Sequence, residues 1–292
     1  MSNLIFTEYQ EKLKRPIVLD GAMGSLLQQN NKKLDKYLWS SILNVTDPKE
    51  VINVHKQYIE AGAEIITTNT FRTNPIAVKL SNFNFSTAKF VKISVKLSKI
   101  AIEKKEIFIA GSNAPAEDCY QKERNISFTD LEFNHKKHIE LLFENNVDFI
   151  LNETQSHFDE IKLICNFCYN NKIPYVISLY SKSGETILSG EPLSEVYDFI
   201  INFSPLAISI NCVSKSIFEK IDIALLKKYK NGFYLNMGNE NREGDFNNLI
   251  SPEKYKHLAK KYINNSTIFI GACCGSNPNH INKLRELVNE IN

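Results

Sequence analysis

Short apolar, β-branched runs alternate with longer stretches of helical periodicity from one end of the chain to the other. The runs predict strands at Ile17–Gly21, Glu64–Thr70, Ile107–Ser112, Asp148–Glu153, Tyr175–Tyr180, Leu206–Cys212, Phe233–Met237 and Thr267–Ala272. The helical patterns fall at Pro48–Ala61, Pro75–Glu103 in two pieces, Asp130–Asn145, Phe158–Asn170, Leu193–Phe203, Ser216–Lys230, Pro252–Asn264 and Asn277–Asn292. Asp47-Pro48 and Ser251-Pro252 place a capping side chain before a first-turn proline, which marks a helix start. Eight strands alternating with helices are what a parallel (β/α)8 TIM barrel requires. An open doubly wound sheet is the alternative. It would carry a glycine-rich phosphate turn after its first strand, and Asp20-Gly21-Ala22-Met23-Gly24-Ser25 imitates one only loosely.

Polar residues sharpen the choice. Asp20, Thr68, Asn69, Ser112, Asn113, Asn152, Glu153, Asn211, Cys212, Asn236, Cys273 and Cys274 all fall at the C-terminal ends of the predicted strands, the face on which barrel active sites are built. Composition then bounds the class. With 292 residues, 43% apolar and 23% charged, the chain can bury one large core, and residues 1–292 are expected to form a single domain. A net charge of +2 with scattered lysines predicts neither nucleic-acid nor membrane partners, and homo-oligomerisation stays open. Met1–Arg15 lacks an export pattern and reads as a short amphipathic helix; the Asn-rich stretch Asn239–Asn248 reads as a local insertion. Together with six cysteines this points to a reducing cytoplasm, where cysteine clusters serve metals or redox chemistry more often than disulfides.

The chemistry centres on Phe269-Ile270-Gly271-Ala272-Cys273-Cys274-Gly275. Adjacent side chains on a strand face opposite ways, so two neighbouring cysteines share a target only if the backbone leaves strand geometry. Gly271 and Gly275 bracket the pair and permit that. Cys212 ends the sixth strand at the matching rim position. Three buried cysteines could simply fill strand ends. Their placement instead favours a Zn²⁺ site with three thiolates and an open fourth position, as in catalytic zinc centres. Cys165 and Cys168 lie in an apolar helical pattern and read as core; Cys119 lies in a loop that could border the site. Asp20 and Glu153 end strands without an obvious Lys or Arg beside them, so a ligand ammonium group would complete both. That fits an amino-acid substrate, with the N–H groups of Gly21 and Ala22 available for its carboxylate. His280 reads as a helix-packing residue near the site, and the other five histidines show no ligand spacing.

With these residues in place, the chain resembles the homocysteine S-methyltransferase family. The resemblance rests on Leu19-Asp20-Gly21-Ala22-Met23-Gly24, Thr68-Asn69-Thr70-Phe71, Asn152-Glu153-Thr154, Ile210-Asn211-Cys212, and Gly271-Ala272-Cys273-Cys274-Gly275 with Pro278-Asn279-His280-Ile281. It implies a TIM barrel with zinc on Cys212, Cys273 and Cys274. It also implies that Asp20 and Glu153 hold the homocysteine amino group, Gly21-Ala22 the carboxylate, and that Thr68 lies near the bound amino acid. Ser112-Asn113-Ala114-Pro115 and Tyr234-Leu235-Asn236-Met237-Gly238 depart from the family pattern where a methyl donor would approach. The implied reaction is methyl transfer from S-methylmethionine or S-adenosylmethionine to the homocysteine thiol, giving methionine. Betaine or a methyl-corrinoid protein are alternative donors. A non-catalytic barrel whose zinc is closed by Cys119 or His280, and a zinc hydrolase, are the rivals from other classes.

Overall fold

The computed structural model describes residues 2–238 and 249–291, with side chains from residue 6 onward; the expected insertion at 239–248 lies outside the described residues. Eight parallel strands, β1 (Ile17–Val18), β2 (Ile65–Thr67), β3 (Phe108–Asn113), β4 (Phe149–Gln155), β5 (Tyr175–Leu179), β6 (Ala207–Asn211), β7 (Asn231–Leu235) and β8 (Thr267–Ala272), run in the order β1-β8-β7-β6-β5-β4-β3-β2. The β1–β2 seam is closed by the Leu19–Ile65 bridge, the Asp20 N–H donating to the Ile65 carbonyl and the Glu64 N–H to that of Val18. With helices between the strands, this is the expected (β/α)8 barrel.

Its interior is filled by inward-facing Ile17, Leu19, Ile65, Ala110, Phe149, Leu151, Val176, Ala207 and Phe269. At the N-terminal end the helix Ser2–Leu13 inserts Phe6, whose ring meets Phe108 and Phe149 at 5.1 and 5.0 Å between centroids. The expected N-terminal helix thus plugs the barrel, leaving its other mouth for the site. Beside the plug, Glu64 receives two bonds of 2.9 Å from the Arg15 guanidinium and pairs with Arg285 at 2.9 Å. Burial raises the Glu64 pKa, but the bonds from Arg15 and then Arg285 outweigh it and leave the carboxyl below its usual range.

Several element ends differ from expectation, each for a local reason. β1, β2 and β6 stop earlier because strand geometry gives out there: the N–H groups of Asp20, Thr68 and Cys212 still bond to a neighbouring strand, but the Thr70 N–H bonds back to the Thr68 carbonyl and Cys212 is left-handed at φ 54°. The helix expected at 216–230 is two short ones, Lys215–Phe218 and Ile223–Lys227, because the Asp222 side chain accepts from the Ala224 N–H and starts the second afresh. The break in the Pro75–Glu103 pattern falls at left-handed Asn82, between Pro75–Ser81 and Thr87–Ile102. A helix at Met23–Gln29 follows β1 unannounced, for its first turn has no capping side chain.

Because Glu64 is the only acid paired with Arg15 and Arg285 among the described residues, Glu64→Ala leaves Arg15 buried without a counter-charge. The substitution is expected to lower stability by about 3 kcal/mol, read as a reduced urea midpoint at neutral pH with unchanged far-UV circular dichroism.

Candidate metal and substrate site

The three cysteines meet at the C-terminal mouth. β6 ends at Asn211, whose side chain accepts from the Thr154 N–H (2.9 Å) and Ser178 Oγ (2.8 Å) and donates to Thr154 Oγ1 (3.0 Å), tying β6 to β4 and β5. The next residue, Cys212, turns into the left-handed region and is held there by its N–H on the Tyr234 carbonyl at 3.0 Å. β8 ends at Ala272, and the Cys273 N–H donates to the Leu235 carbonyl while the Cys274 carbonyl accepts from Met237 N–H, both at 2.8 Å. Gly275 follows at φ +80°, a conformation that suits glycine, and its N–H donates to Ser25 Oγ at 3.0 Å. The backbone thus departs from strand geometry at the cysteine pair, as the adjacent thiols require.

As a result the Sγ atoms of Cys212, Cys273 and Cys274 lie within 4.8 Å of one another, with Cys212 and Cys274 at 3.5 Å. All three are thiols. Hydrogen bonds from Cys273 and then Cys274 pull the Cys212 pKa well below the ordinary thiol range, and the same contacts hold those of Cys273 and Cys274 above it. Three soft donors gathered within reach of one ion suit a thiophilic metal. Among the described residues no fourth His, Cys, Asp or Glu joins them.

Two carboxylates share this mouth. Asp20 is 3% exposed and accepts from the Thr67 N–H (2.8 Å) and Thr67 Oγ1 (2.9 Å). Glu153 accepts a short bond from Ser112 Oγ. Loss of hydration raises both pKa values: Asp20 well above its usual range, with the Glu153 charge adding to the shift, and Glu153 to about 7, with the Cys212 sulfur adding to it. Neither has a Lys or Arg partner among the described residues, as expected.

The turn after β1 packs tightly. A Cβ on Gly21 would come within 2.7 Å of Ser276 Oγ and 2.6 Å of the Tyr58 ring. The Ala22 N–H is engaged with Ser276 Oγ at 3.1 Å, and the Ala22 carbonyl with the Tyr58 hydroxyl at 3.1 Å. Thr68, 2% exposed, accepts from the Ser112 N–H at 3.1 Å and bonds Thr70 Oγ1 at 2.7 Å, which itself donates to the Ser112 carbonyl at 2.7 Å. In this structure Thr68 braces Ser112, the partner of Glu153.

The remaining candidates sort plainly. His280 completes a capping box with Asn277 and donates from Nε2 to the Ile250 carbonyl at 2.8 Å, so both ring nitrogens are engaged away from the thiols. Cys165 and Cys168 are fully buried in the core, and burial raises both thiols, Cys165 to about 12. Cys119 is buried in the loop after β3 and stands outside the thiol group.

Sequence reasoning missed two features. His135 and His138, given no role, flank Asn113: Asn113 Nδ2 meets His135 Nδ1 at 3.1 Å and Asn152 Oδ1 at 2.8 Å, while Asn113 Oδ1 meets His138 Nδ1 at 2.9 Å. His135 Nε2 lies 2.7 Å from Glu160, and His138 Nε2 lies 2.9 Å from Thr73 Oγ1. This buried chain locks the ends of β3 and β4, the strands that present Ser112 and Glu153. The second is Tyr120, whose hydroxyl lies 3.3 Å from Cys212 Sγ. The Asn113 pairings join positions too far apart for any local motif, and Tyr120 sits in a loop without periodicity.

Three converging thiols able to hold a thiophilic metal, and two carboxylates without a cationic partner among the described residues, stand at the face of a parallel barrel where enzymes of this fold do their chemistry. Comparison with known proteins agrees. The family profile described as homocysteine S-methyltransferase matches residues 17–288. Homocysteine S-methyltransferase 2 of Arabidopsis thaliana is 22% identical over 311 residues, covering 93% of this chain and 93% of that protein. A crystal structure of the homocysteine methyltransferase MmuM from Escherichia coli, in its metallated form, superposes with a TM-score of 0.80 at 21% identity, over 93% of this chain and 96% of that one. The type I 3-dehydroquinate dehydratase of Clostridium difficile superposes with a TM-score of 0.53 at 14% identity, over 95% and 92% of the two chains. Both superpositions speak to the barrel fold. The chain belongs to the homocysteine S-methyltransferase family, and it is a methyltransferase.

The raised Glu153 pKa has a measurable consequence. Its proton contributes stability that is fully present below the ordinary value of 4.5 and is lost as pH rises through about 7, because the folded protein keeps the proton longer than the unfolded chain. Metal- and substrate-free protein should therefore lose thermal stability across that window. Glu153→Gln is expected to flatten the loss, and a parallel fall in both proteins would contradict the assignment.

Proposed function

We propose that this enzyme methylates the thiol of L-homocysteine, giving methionine, with Zn²⁺ held by Cys212, Cys273 and Cys274 and an onium compound as donor. S-methylmethionine or S-adenosylmethionine is the favoured donor. The observation that carries the reading is the meeting of three sulfurs within 4.8 Å at a mouth shared with two carboxylates that have no cationic partner among the described residues. When bound, zinc would supply Lewis acidity at its open position, lowering the pKa of a sulfur ligand so that it is thiolate at neutral pH.

The chain's own residues account for the rest. Asp20 and Glu153 accept the substrate ammonium, whose charge restores both to the ionised form. Thr67 and Ser112 orient them, and each keeps a carboxylate aimed where a single amino acid would reach it. The turn at Gly21-Ala22 faces the substrate carboxylate; engaging the Ala22 N–H would require Ser276 Oγ to yield it. Thr68 acts through Ser112. Anchored at its amino-acid end, the substrate presents its sulfur to the cluster, and the chemistry needs positioning more than proton transfer. The electron pair of the sulfur forms the new S–CH₃ bond as the donor's onium bond breaks, so the donor leaves uncharged.

The non-catalytic reading loses support from His280, whose ring is committed to Asn277 and Ile250, and from the absence of a fourth donor among the described residues. A hydrolase would need a base beside the metal, whereas the two acids are better placed for an ammonium group. We place the reaction in a reducing cytoplasm, where the thiols stay available to metal.

Cys274→Ala is expected to abolish both zinc retention and methionine formation, assayed by metal analysis and by chromatography with each donor in parallel. Turnover persisting in a zinc-free variant would refute the role given to the cluster. For Asp20→Asn, loss of one charged hydrogen bond worth about 1.5–3 kcal/mol should reduce kcat/KM for homocysteine by about 10- to 100-fold. That loss should fall chiefly on KM, and zinc content should be unchanged.

A further inference from the structure

Between β3 and the helix Phe128–Glu144, residues 114–127 cross the mouth without regular secondary structure. They are nevertheless strapped down. Arg72 donates to the Glu117 carbonyl at 2.6 Å, the Ala116 N–H to Glu160 at 2.8 Å and Ser156 Oγ to the Cys119 carbonyl at 3.3 Å. His157 Nε2 donates to the Lys122 carbonyl at 2.9 Å, and Arg124 pairs with Asp159 at 2.6 Å. The partners come from the loop after β2 and from the end of β4 with the helix behind it.

What the strap delivers is Tyr120. Its ring stands edge-on to Tyr180, 5.1 Å between centroids, and its hydroxyl reaches Cys212 Sγ at 3.3 Å. A thiolate has no hydrogen to offer, so when Cys212 serves as a metal ligand the phenol must be the donor. Three thiolates on a divalent cation leave a net negative charge in a poorly hydrated site, and a hydrogen bond to one sulfur draws part of that charge away.

We propose that Tyr120 is a positioning residue acting through Cys212: its hydroxyl donates to the ligand sulfur and sets the electron density that the three-thiol site gives to its metal. The proposal rests on the metal reading above. It also gives the strap a purpose, since a phenol on an untethered loop would spend little time on the sulfur.

Replacing the metal of the full-length protein with Co²⁺ provides a direct readout in the thiolate-to-cobalt charge-transfer absorption. Tyr120→Phe keeps the ring and its contact with Tyr180 while removing the donor. With the sulfur lone pairs no longer stabilised, the band is expected to move to longer wavelength, whereas Tyr180→Phe should leave it in place. A band unmoved in Tyr120→Phe, or moved equally in Tyr180→Phe, would overturn the proposal while leaving the metal site intact. A change in ligand-field intensity marking a lost ligand would overturn it too, by making the hydroxyl a ligand. Absence of any thiolate band in the parent protein would overturn the metal reading and this proposal together.

Discussion

The structure turns on an unbalanced charge. At one mouth of the barrel, three thiols and two carboxylates are held with little water, and among the described residues no lysine or arginine is paired with either acid. Isolated buried anions are costly, and proteins avoid them by protonation or by recruiting cations. The raised pKa values of Asp20 and Glu153, and the division of protons among the cysteines, describe the first solution. A thiophilic divalent ion, an ammonium group and an onium donor are the second. The three belong to one proposed reaction, so the same imbalance that disfavours the empty mouth would gather what the chemistry consumes.

Holding that imbalance requires a stiff frame. Cys212 sits in a left-handed conformation that non-glycine residues adopt at some strain, and Gly275 takes another beside the cysteine pair. Both are braced from other strands: Asn211 fastens β6 to β4 and β5, and the Cys273 N–H and Cys274 carbonyl bond to the segment leaving β7. The Asn113 chain does the same for β3 and β4. Its donor and acceptor directions are mutually consistent: Asn113 donates to Asn152 and His135 and accepts from His138. Burial holds His138 near 3, so it stays neutral in this role.

How much of this could be read from sequence follows from locality. The barrel was readable because each strand and helix carries its own period, and the thiol cluster because two cysteines stand together between glycines. Asp20 and Glu153 were readable as strand-end acids with no local cation. The strand ends were misplaced at Asp20, Thr68 and Cys212 because side-chain bonds at the first two and a left-handed turn at the third end the regular strand, which apolar patterning does not record. Ser112 on Glu153, Tyr120 on Cys212 and the Asn113 pairings join positions 22 to 92 residues apart. No short-range pattern encodes such pairs; only closure of the barrel brings them together.

The two ends of the barrel show why the acids at the mouth read as functional. Glu64, at the plugged end, is as buried as many core residues, yet Arg15 and Arg285 overcome the effect of burial and hold its carboxyl ionised. Its charge is satisfied within the fold, and its consequence is stability. Asp20, at the other mouth, accepts instead from neutral donors, the N–H and hydroxyl of Thr67. The fold could have supplied an arginine there as readily as it supplied two to Glu64. Glu64, Asp20 and Glu153 are all carboxylates withdrawn from water, and the presence or absence of an arginine partner among the described residues accounts for the opposite directions of their pKa shifts. At the C-terminal face, where barrels do their chemistry, the upward direction is the one expected of carboxylates that meet an incoming cation in the proposed reaction.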